Sequence, residues 1–189
     1  MRRLCVFAGS SPGRRPEYVA TARTLAKDCA GRGIGLVFGG GSVGMMGALA
    51  DAALEAGAEV IGVIPRALAS KELAHTGVTE LYTVENMHER KAKMTDLADA
   101  FLALPGGFGT LDELFEAWSW NALGYHKKPF CLLNVEGYWD GMIEFIDHAT
   151  ESGFLSGQRR SQLLVASTPE EALDLLDEAA AAATQGMVW

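Results

Sequence analysis

The sequence is poor in the features that mark membrane, metal-binding and secreted proteins. No apolar run approaches the ~18 residues needed to span a bilayer. Excess positive charge is also missing: 16 Lys and Arg stand against 24 Asp and Glu, a formal net charge of −8. That argues against broad nucleic-acid or membrane-surface binding, which rests on a basic surface. A small anionic ligand stays open, because local groups decide it. Cysteine is scarce. Cys5, Cys29 and Cys131 are odd in number and lack CxxC spacing, which reads as buried free thiols in a reducing compartment. His75, His88, His126 and His148 show no ligand spacing such as H-x-x-x-H, so no metal site is expected. Met1-Arg2-Arg3 followed by residues 4–8 faintly resembles a signal peptide. Its apolar core is too short, and Gly9-Ser10-Ser11-Pro12 ends it as a strand would end. The expected location is the cytoplasm.

What the chain does have is the composition of an ordinary globular protein, 49% apolar and 21% charged over 189 residues, enough for one domain with a sizeable core. Short apolar runs alternate with helical patterns. Strands are expected at 4–8, 35–38, 59–64, 80–84, 100–104, 130–134 and, weakly, 162–165. Helices are expected at 16–30, 43–55, 87–97, 110–123, 139–151 and 169–182. Pro16 and Pro169 suit first helical positions and Thr168 suits an N-cap. Gly31, Gly57, Gly124 and Gly153 follow helical runs as stops. This alternation implies an α/β fold with a parallel sheet covered on both faces, and the strands lack strict alternation, as doubly buried strands do. The chain ends in three apolar residues (187–189), which suggests packing on the body or on a second subunit.

In such sheets ligands bind beyond the carboxyl ends of the strands. Three glycine-bearing loops fall there: Gly9-Ser10-Ser11, the run from Gly39 to Gly44, and Pro105 to Thr110. Gly39, Gly41 and Gly44 formally match G-x-G-x-x-G, a weak signal alone. A dinucleotide site also wants an acid at the end of the next strand, and that strand ends Gly62-Val63-Ile64-Pro65. Ser10, Gly40 and Gly41 remain candidate phosphate contacts. The third loop, Leu104-Pro105-Gly106-Gly107-Phe108-Gly109-Thr110, runs into a helix pattern. Free N–H groups at a helix start, approached through glycines, form an anion site.

Two charged residues near these loops point to chemistry. Asn86 and Glu89 resemble a capping box at the start of the 87–97 helix. Arg90 then shares a face with Met87 and Met94. An inward guanidinium needs a carboxylate or a phosphate; a structural ion pair and a ligand contact both satisfy it. Lys91 and Lys93 point elsewhere and read as solvated charges, and His88 reads as exposed. Thr110-Leu111-Asp112-Glu113 is also a Thr-x-x-Glu pattern. Glu113 therefore has two readings, a capping residue reaching back to Thr110 and a carboxylate placed beside a bound phosphate.

Taken together, the run from Gly39 to Gly47, the segment Met87-His88-Glu89-Arg90-Lys91-Ala92-Lys93-Met94 and the segment Pro105-Gly106-Gly107-Phe108-Gly109-Thr110-Leu111-Asp112-Glu113 resemble the LOG family of cytokinin riboside 5′-monophosphate phosphoribohydrolases. Many of its members carried the older label of possible lysine decarboxylase. The family pattern P-G-G-x-G-T-x-x-E, preceded by R-K-x-x-M, is complete here, and the resemblance covers nearly the whole chain. It implies a Rossmann-like, doubly wound, single-domain homodimer that cleaves the N-glycosidic bond of a nucleoside 5′-monophosphate without a cofactor. Arg90 and Glu113 would be its catalytic pair. Glu72, Lys91, Gly107, Phe108, Gly109, Thr110, Leu111, Asp112 and Ser119 would line the substrate. Position 119 is usually threonine in plant members and position 112 often glutamate, so Ser119 and Asp112 bear on base preference. A pocket for a prenylated base is expected among residues such as Met94, Trp118 and Trp120. The alternative is a non-catalytic nucleotide or molybdenum-cofactor carrier on the same scaffold, which would need the loops but not both Arg90 and Glu113. A lysine decarboxylase would need a Schiff-base lysine, and no lysine has a distinctive context for it.

Overall fold

The computed structural model describes residues 1–69 and 73–185. The strands are β1 (Arg3–Phe7), β2 (Gly35–Phe38), β3 (Val60–Pro65), β4 (Glu80–Val84), β5 (Ala100–Ala103), β6 (Phe130–Leu133) and β7 (Leu163–Ala166). The helices are α1 (Pro16–Gly31), α2 (Gly44–Glu55), α3 (Arg66–Ala69), α4 (Met87–Leu97), α5 (Phe108–Ala122), α6 (Asp140–Glu151), α7 (Gly157–Arg160) and α8 (Pro169–Gln185).

All seven strands pair in parallel in the order β4-β3-β2-β1-β5-β6-β7. The central strands are buried on both faces, which their unbroken apolar runs require. The alternating side chains of β1 divide the core. Leu4 and Val6 pack with Leu25 of α1, Leu49 of α2 and Leu173 of α8, while Cys5 and Phe7 pack with Met94 of α4, Leu114 of α5 and Ile146 of α6. Edge strand β4 is partly exposed along its length. From β1 the chain steps outward to β4, then returns to place β5 on the other side of β1. The crevice at the carboxyl ends of β1 and β5 is thus the switch point where open α/β sheets bind ligands.

The expected elements recur with shifted ends, and two shifts matter. Gly31 is the last residue of α1, and the left-handed turn (φ 70°) falls at Gly33. More consequentially, α5 begins at Phe108 with Gly107 as its N-cap, two residues before Thr110. The Thr168 cap is present: Glu171 N–H donates to Thr168 Oγ1 (3.2 Å) and Ser167 N–H donates to Glu171 Oε2 (2.7 Å). Helices α3 and α7 and the single 3-10 turn Val135–Gly137 are too short to leave a periodic signal. Residues 187–189 lie outside the described part. Among the described residues no helix is long and apolar enough to cross a membrane.

Candidate active site

The three glycine loops meet at the switch point. Gly9 N–H donates to Pro105 O (3.2 Å), and the N–H groups of Met45 and Met46 donate to Gly9 O (3.1 and 3.3 Å). The contact is close enough to require glycine. A Cβ on Gly44, whose φ is 66°, would overlap the Ser10 backbone, and one on Gly106 would overlap the Thr110 hydroxyl. Gly107 and Gly109 border open space, and Ser10, Gly107, Phe108 and Gly109 are exposed. The first N–H groups of α5 have no intrahelical acceptors, and no side chain caps this helix start. An anion approaching there meets free donors and the positive end of the helix dipole.

Gly40 and Gly41 are placed differently from Ser10. Both are buried beneath residues 73–75. His75 N–H donates to Gly40 O (2.8 Å), Ser42 N–H donates to Leu73 O (2.8 Å), and Gly41 bridges Ala74. The His75 ring is held by Asp51 at 2.9 Å. Glu72 lies outside the described residues.

Asn86 caps α4 by accepting from Glu89 N–H (2.9 Å), while Glu89 Oε2 accepts from Glu85 N–H (3.0 Å). With its start fixed, α4 docks through Met94 and brings Arg90 inward to 8% exposure. Met87, which the helical period put on the same face, is 41% exposed. The Arg90 guanidinium touches three elements. Nε donates to Val63 O of β3 (3.1 Å), and Nη2 pairs with Glu113 Oε1 of α5 (3.1 Å). It also presses on Gly39 after β2, where any Cβ would overlap Nη2. Among the described residues Nη1 has only the Met87 sulfur, at 3.8 Å, leaving donors for a ligand oxygen.

This geometry decides between the two readings of Glu113. Because α5 starts at Phe108, Thr110 is already inside its first turn and Glu113 is in its second. The carboxylate faces Arg90 rather than the Thr110 backbone, so the capping-box reading is corrected. The reason is the glycine at 107, which serves as N-cap and moves the helix start back. Burial pushes the Glu113 carboxyl up to about 7 against the opposing pull of Arg90. A buried ion pair is weak evidence for stability. A buried carboxylate with a raised pKa beside the carboxyl ends of the strands makes Glu113 a candidate functional residue.

Lys91 is also corrected. It is not a solvated charge but lies between Asp112 (3.0 Å) and Glu116, with its side chain 16% exposed. Burial lowers its pKa, but hydrogen bonds to Glu116 and Asp112 outweigh that and raise it. A Schiff-base lysine needs the opposite shift. Lys91, Leu111, Asp112, Phe115, Glu116 and Ser119 line a groove of about 450 Å³ along α5. His88 is exposed as expected, 3.8 Å from Glu116, and Lys93 lies over the Tyr82 ring at 4.2 Å. Met94 and Trp118 are core residues, 1% and 6% exposed. The Val63 carbonyl, Glu116 and Tyr138, whose hydroxyl donates to Gly106 O (2.6 Å), are the neighbours that sequence reasoning missed.

Comparison with known proteins adds to this geometry. A family model described as "Possible lysine decarboxylase" matches residues 46–176. A rice protein (Oryza sativa subsp. japonica) described as a probable cytokinin riboside 5′-monophosphate phosphoribohydrolase is 48% identical over 177 residues, covering 94% of this chain and 84% of that protein. The rice cytokinin riboside 5′-monophosphate phosphoribohydrolase LOG is 46% identical over 188 residues, 100% of this chain and 78% of its own length. Among solved structures, the molybdenum cofactor carrier protein of Chlamydomonas reinhardtii superposes with a TM-score of 0.72 at 23% identity, covering 95% of this chain and 98% of that one. The molybdenum cofactor binding protein of Rippkaea orientalis does so with a TM-score of 0.71 at 22% identity, covering 94% and 96%. At that identity the superpositions show a shared fold.

Proposed function

The chain belongs to the LOG family of phosphoribohydrolases, and on that premise we propose that it hydrolyses the N-glycosidic bond of N6-substituted adenosine 5′-monophosphates. The products are the free base and ribose 5-phosphate. The observation that carries this reading is the buried Arg90–Glu113 pair, 3.1 Å apart, beside the uncapped start of α5. A purely carrying site has no need of a desolvated carboxylate there.

Breaking the bond between ribose and base leaves positive charge on the sugar ring. In this account the N–H groups at the start of α5, with Ser10 nearby, hold the 5′-phosphate. Arg90 fixes the sugar-phosphate with the donors that Glu113 and Val63 leave free. Ionised Glu113 stands against the ring and stabilises the developing charge, and it orients the water whose oxygen bonds to the anomeric carbon. The departing base takes the electron pair of the broken bond and a proton. The base extends into the groove of Lys91, Leu111, Asp112 and Ser119.

The same reading makes the protein a homodimer. Exposed Phe145 (66%) and Phe115 (38%), with buried Ile146 beneath them, line an apolar depression of about 260 Å³ over α5 and α6. That depression shares Phe115 and Ser119 with the substrate groove, so a second copy seated there also roofs the groove. Three buried, unpaired cysteines support a reducing, cytoplasmic setting. Lys91 does not suit the pyridoxal chemistry of a lysine decarboxylase, since it is committed to two carboxylates.

Chromatography of the protein incubated with adenosine 5′-monophosphate and with its N6-isopentenyl derivative tests the reading. Free base and ribose 5-phosphate in equal amounts are expected, and the ratio of the two rates reports base preference. Intact nucleotide after prolonged incubation with both contradicts it.

A further inference from the structure

Beyond β6 the chain turns tightly over residues 134–139. Asn134 organises the turn: its side-chain oxygen accepts from Trp139 N–H (2.7 Å) and its amide donates to Asp140 Oδ1 (2.7 Å). Glu136 and Gly137 both have positive φ, 52° and 70°. That conformation is costly for a glutamate, so the surroundings hold it. The turn sets the Tyr138 ring edge-to-face on Trp139 and Tyr18, at 4.7 and 5.6 Å. Its hydroxyl donates to Gly106 O at 2.6 Å.

Gly106 is wedged between two loops. Tyr138 is on one side. On the other is the β1 loop, where a Cβ on Gly106 would come within 2.9 Å of Gly9 N. In a trans peptide the C=O and the following N–H point in opposite directions. Fixing the Gly106 carbonyl on Tyr138 therefore turns the Gly107 N–H away from Tyr138, at the N-cap of α5. Glycine on both sides gives this peptide little steric resistance to flipping. A flipped peptide would show an incoming anion a carbonyl oxygen instead of a donor.

We propose that Tyr138 is a positioning residue for phosphate binding, its hydroxyl locking the Gly106–Gly107 peptide with the N–H toward the ligand. This rests on the reading that the start of α5 holds the 5′-phosphate. Tyr138 itself touches the loop, not the reacting atoms.

Tyr138→Phe keeps the ring and both aromatic contacts and removes only the hydroxyl. Titration calorimetry on wild type and variant uses ribose 5-phosphate, which carries the phosphate and is not turned over, and adenosine, which lacks the phosphate. Ribose 5-phosphate should bind the variant about tenfold more weakly, equivalent to about 1.4 kcal/mol, with adenosine affinity unchanged. In turnover the KM for adenosine 5′-monophosphate should rise in the same ratio, with kcat held within about twofold. Equal ribose 5-phosphate affinities overturn the proposal. So does a parallel loss for both ligands, which would report general loosening. Absence of ribose 5-phosphate binding in wild type overturns both the proposal and the phosphate reading. Binding without base release overturns the hydrolase reading alone, because the affinity ratio is read without turnover.

Discussion

Replacing Glu113 by glutamine should change how stability depends on pH, by an amount the site geometry sets. Glu113 is 7% exposed, and burial raises its pKa from 4.5 to about 7. Between those values the folded protein binds a proton that the unfolded chain releases. Unfolding is therefore favoured as pH rises. The stabilising contribution is fully present below pH 4.5 and is lost as pH passes through 7. At about 1.4 kcal/mol per pKa unit, linkage over the interval from pH 5 to pH 8 comes to a few kcal/mol. Other groups titrate in the same interval, so the quantity to read is the difference between wild type and Glu113→Gln, where their contributions cancel. Urea unfolding at pH 5, 6, 7 and 8 supplies it. Wild type should lose stability relative to the variant across the series, by a few kcal/mol. A flat difference refutes the reasoning. That flat difference is what a carboxyl held by Arg90 below its ordinary value would give, because it would be ionised in both the folded and the unfolded chain throughout this range.

The same titration governs turnover. If ionised Glu113 stabilises the sugar cation, kcat/KM should rise with pH to a plateau above an apparent pKa of about 7, and a profile falling over that range in initial-rate assays contradicts the role. Gly39→Ala places a Cβ on Arg90 Nη2 and should cut kcat/KM by about 100-fold, the order expected when a catalytic group is displaced by an ångström. Circular dichroism of that variant should stay native, and undiminished activity would remove Gly39 from the account. Phe145→Asp puts a charge on the apolar face of α6 and should shift the protein from dimer to monomer in sedimentation, with loss of activity. A dimer unaffected by the change places the interface elsewhere.

The layered sheet was legible because the central strands are short apolar runs, several of them bounded by glycine or proline, as at Gly35, Pro65 and Pro129. Arg90 was legible too: helical spacing from Met94 put it inward, and it is 8% exposed. Its pairing with Glu113 came from the family resemblance and not from local pattern. Arg90 and Glu113 belong to different helices separated by β5, and no local periodicity says which side chains of two adjacent helices meet. The start of α5 was misplaced because Thr-x-x-Glu is a stronger pattern than a glycine N-cap, although glycine caps nearly as well as threonine. Lys91 fell off the apolar stripe of α4 and so read as solvated; the acids of α5 that enclose it are visible only once the helices pack. Tyr138 carried no signal, since it acts through one hydroxyl on a backbone carbonyl of a distant loop.

The most direct test of the central claim is the initial rate of base release from N6-isopentenyl adenosine 5′-monophosphate by wild type and by Glu113→Gln at pH 8, where the carboxylate is ionised. The account predicts a loss of at least about 100-fold in kcat, or roughly 2.7 kcal/mol of transition-state stabilisation. A variant within about twofold of wild type, which amounts to only ~0.4 kcal/mol, would contradict it.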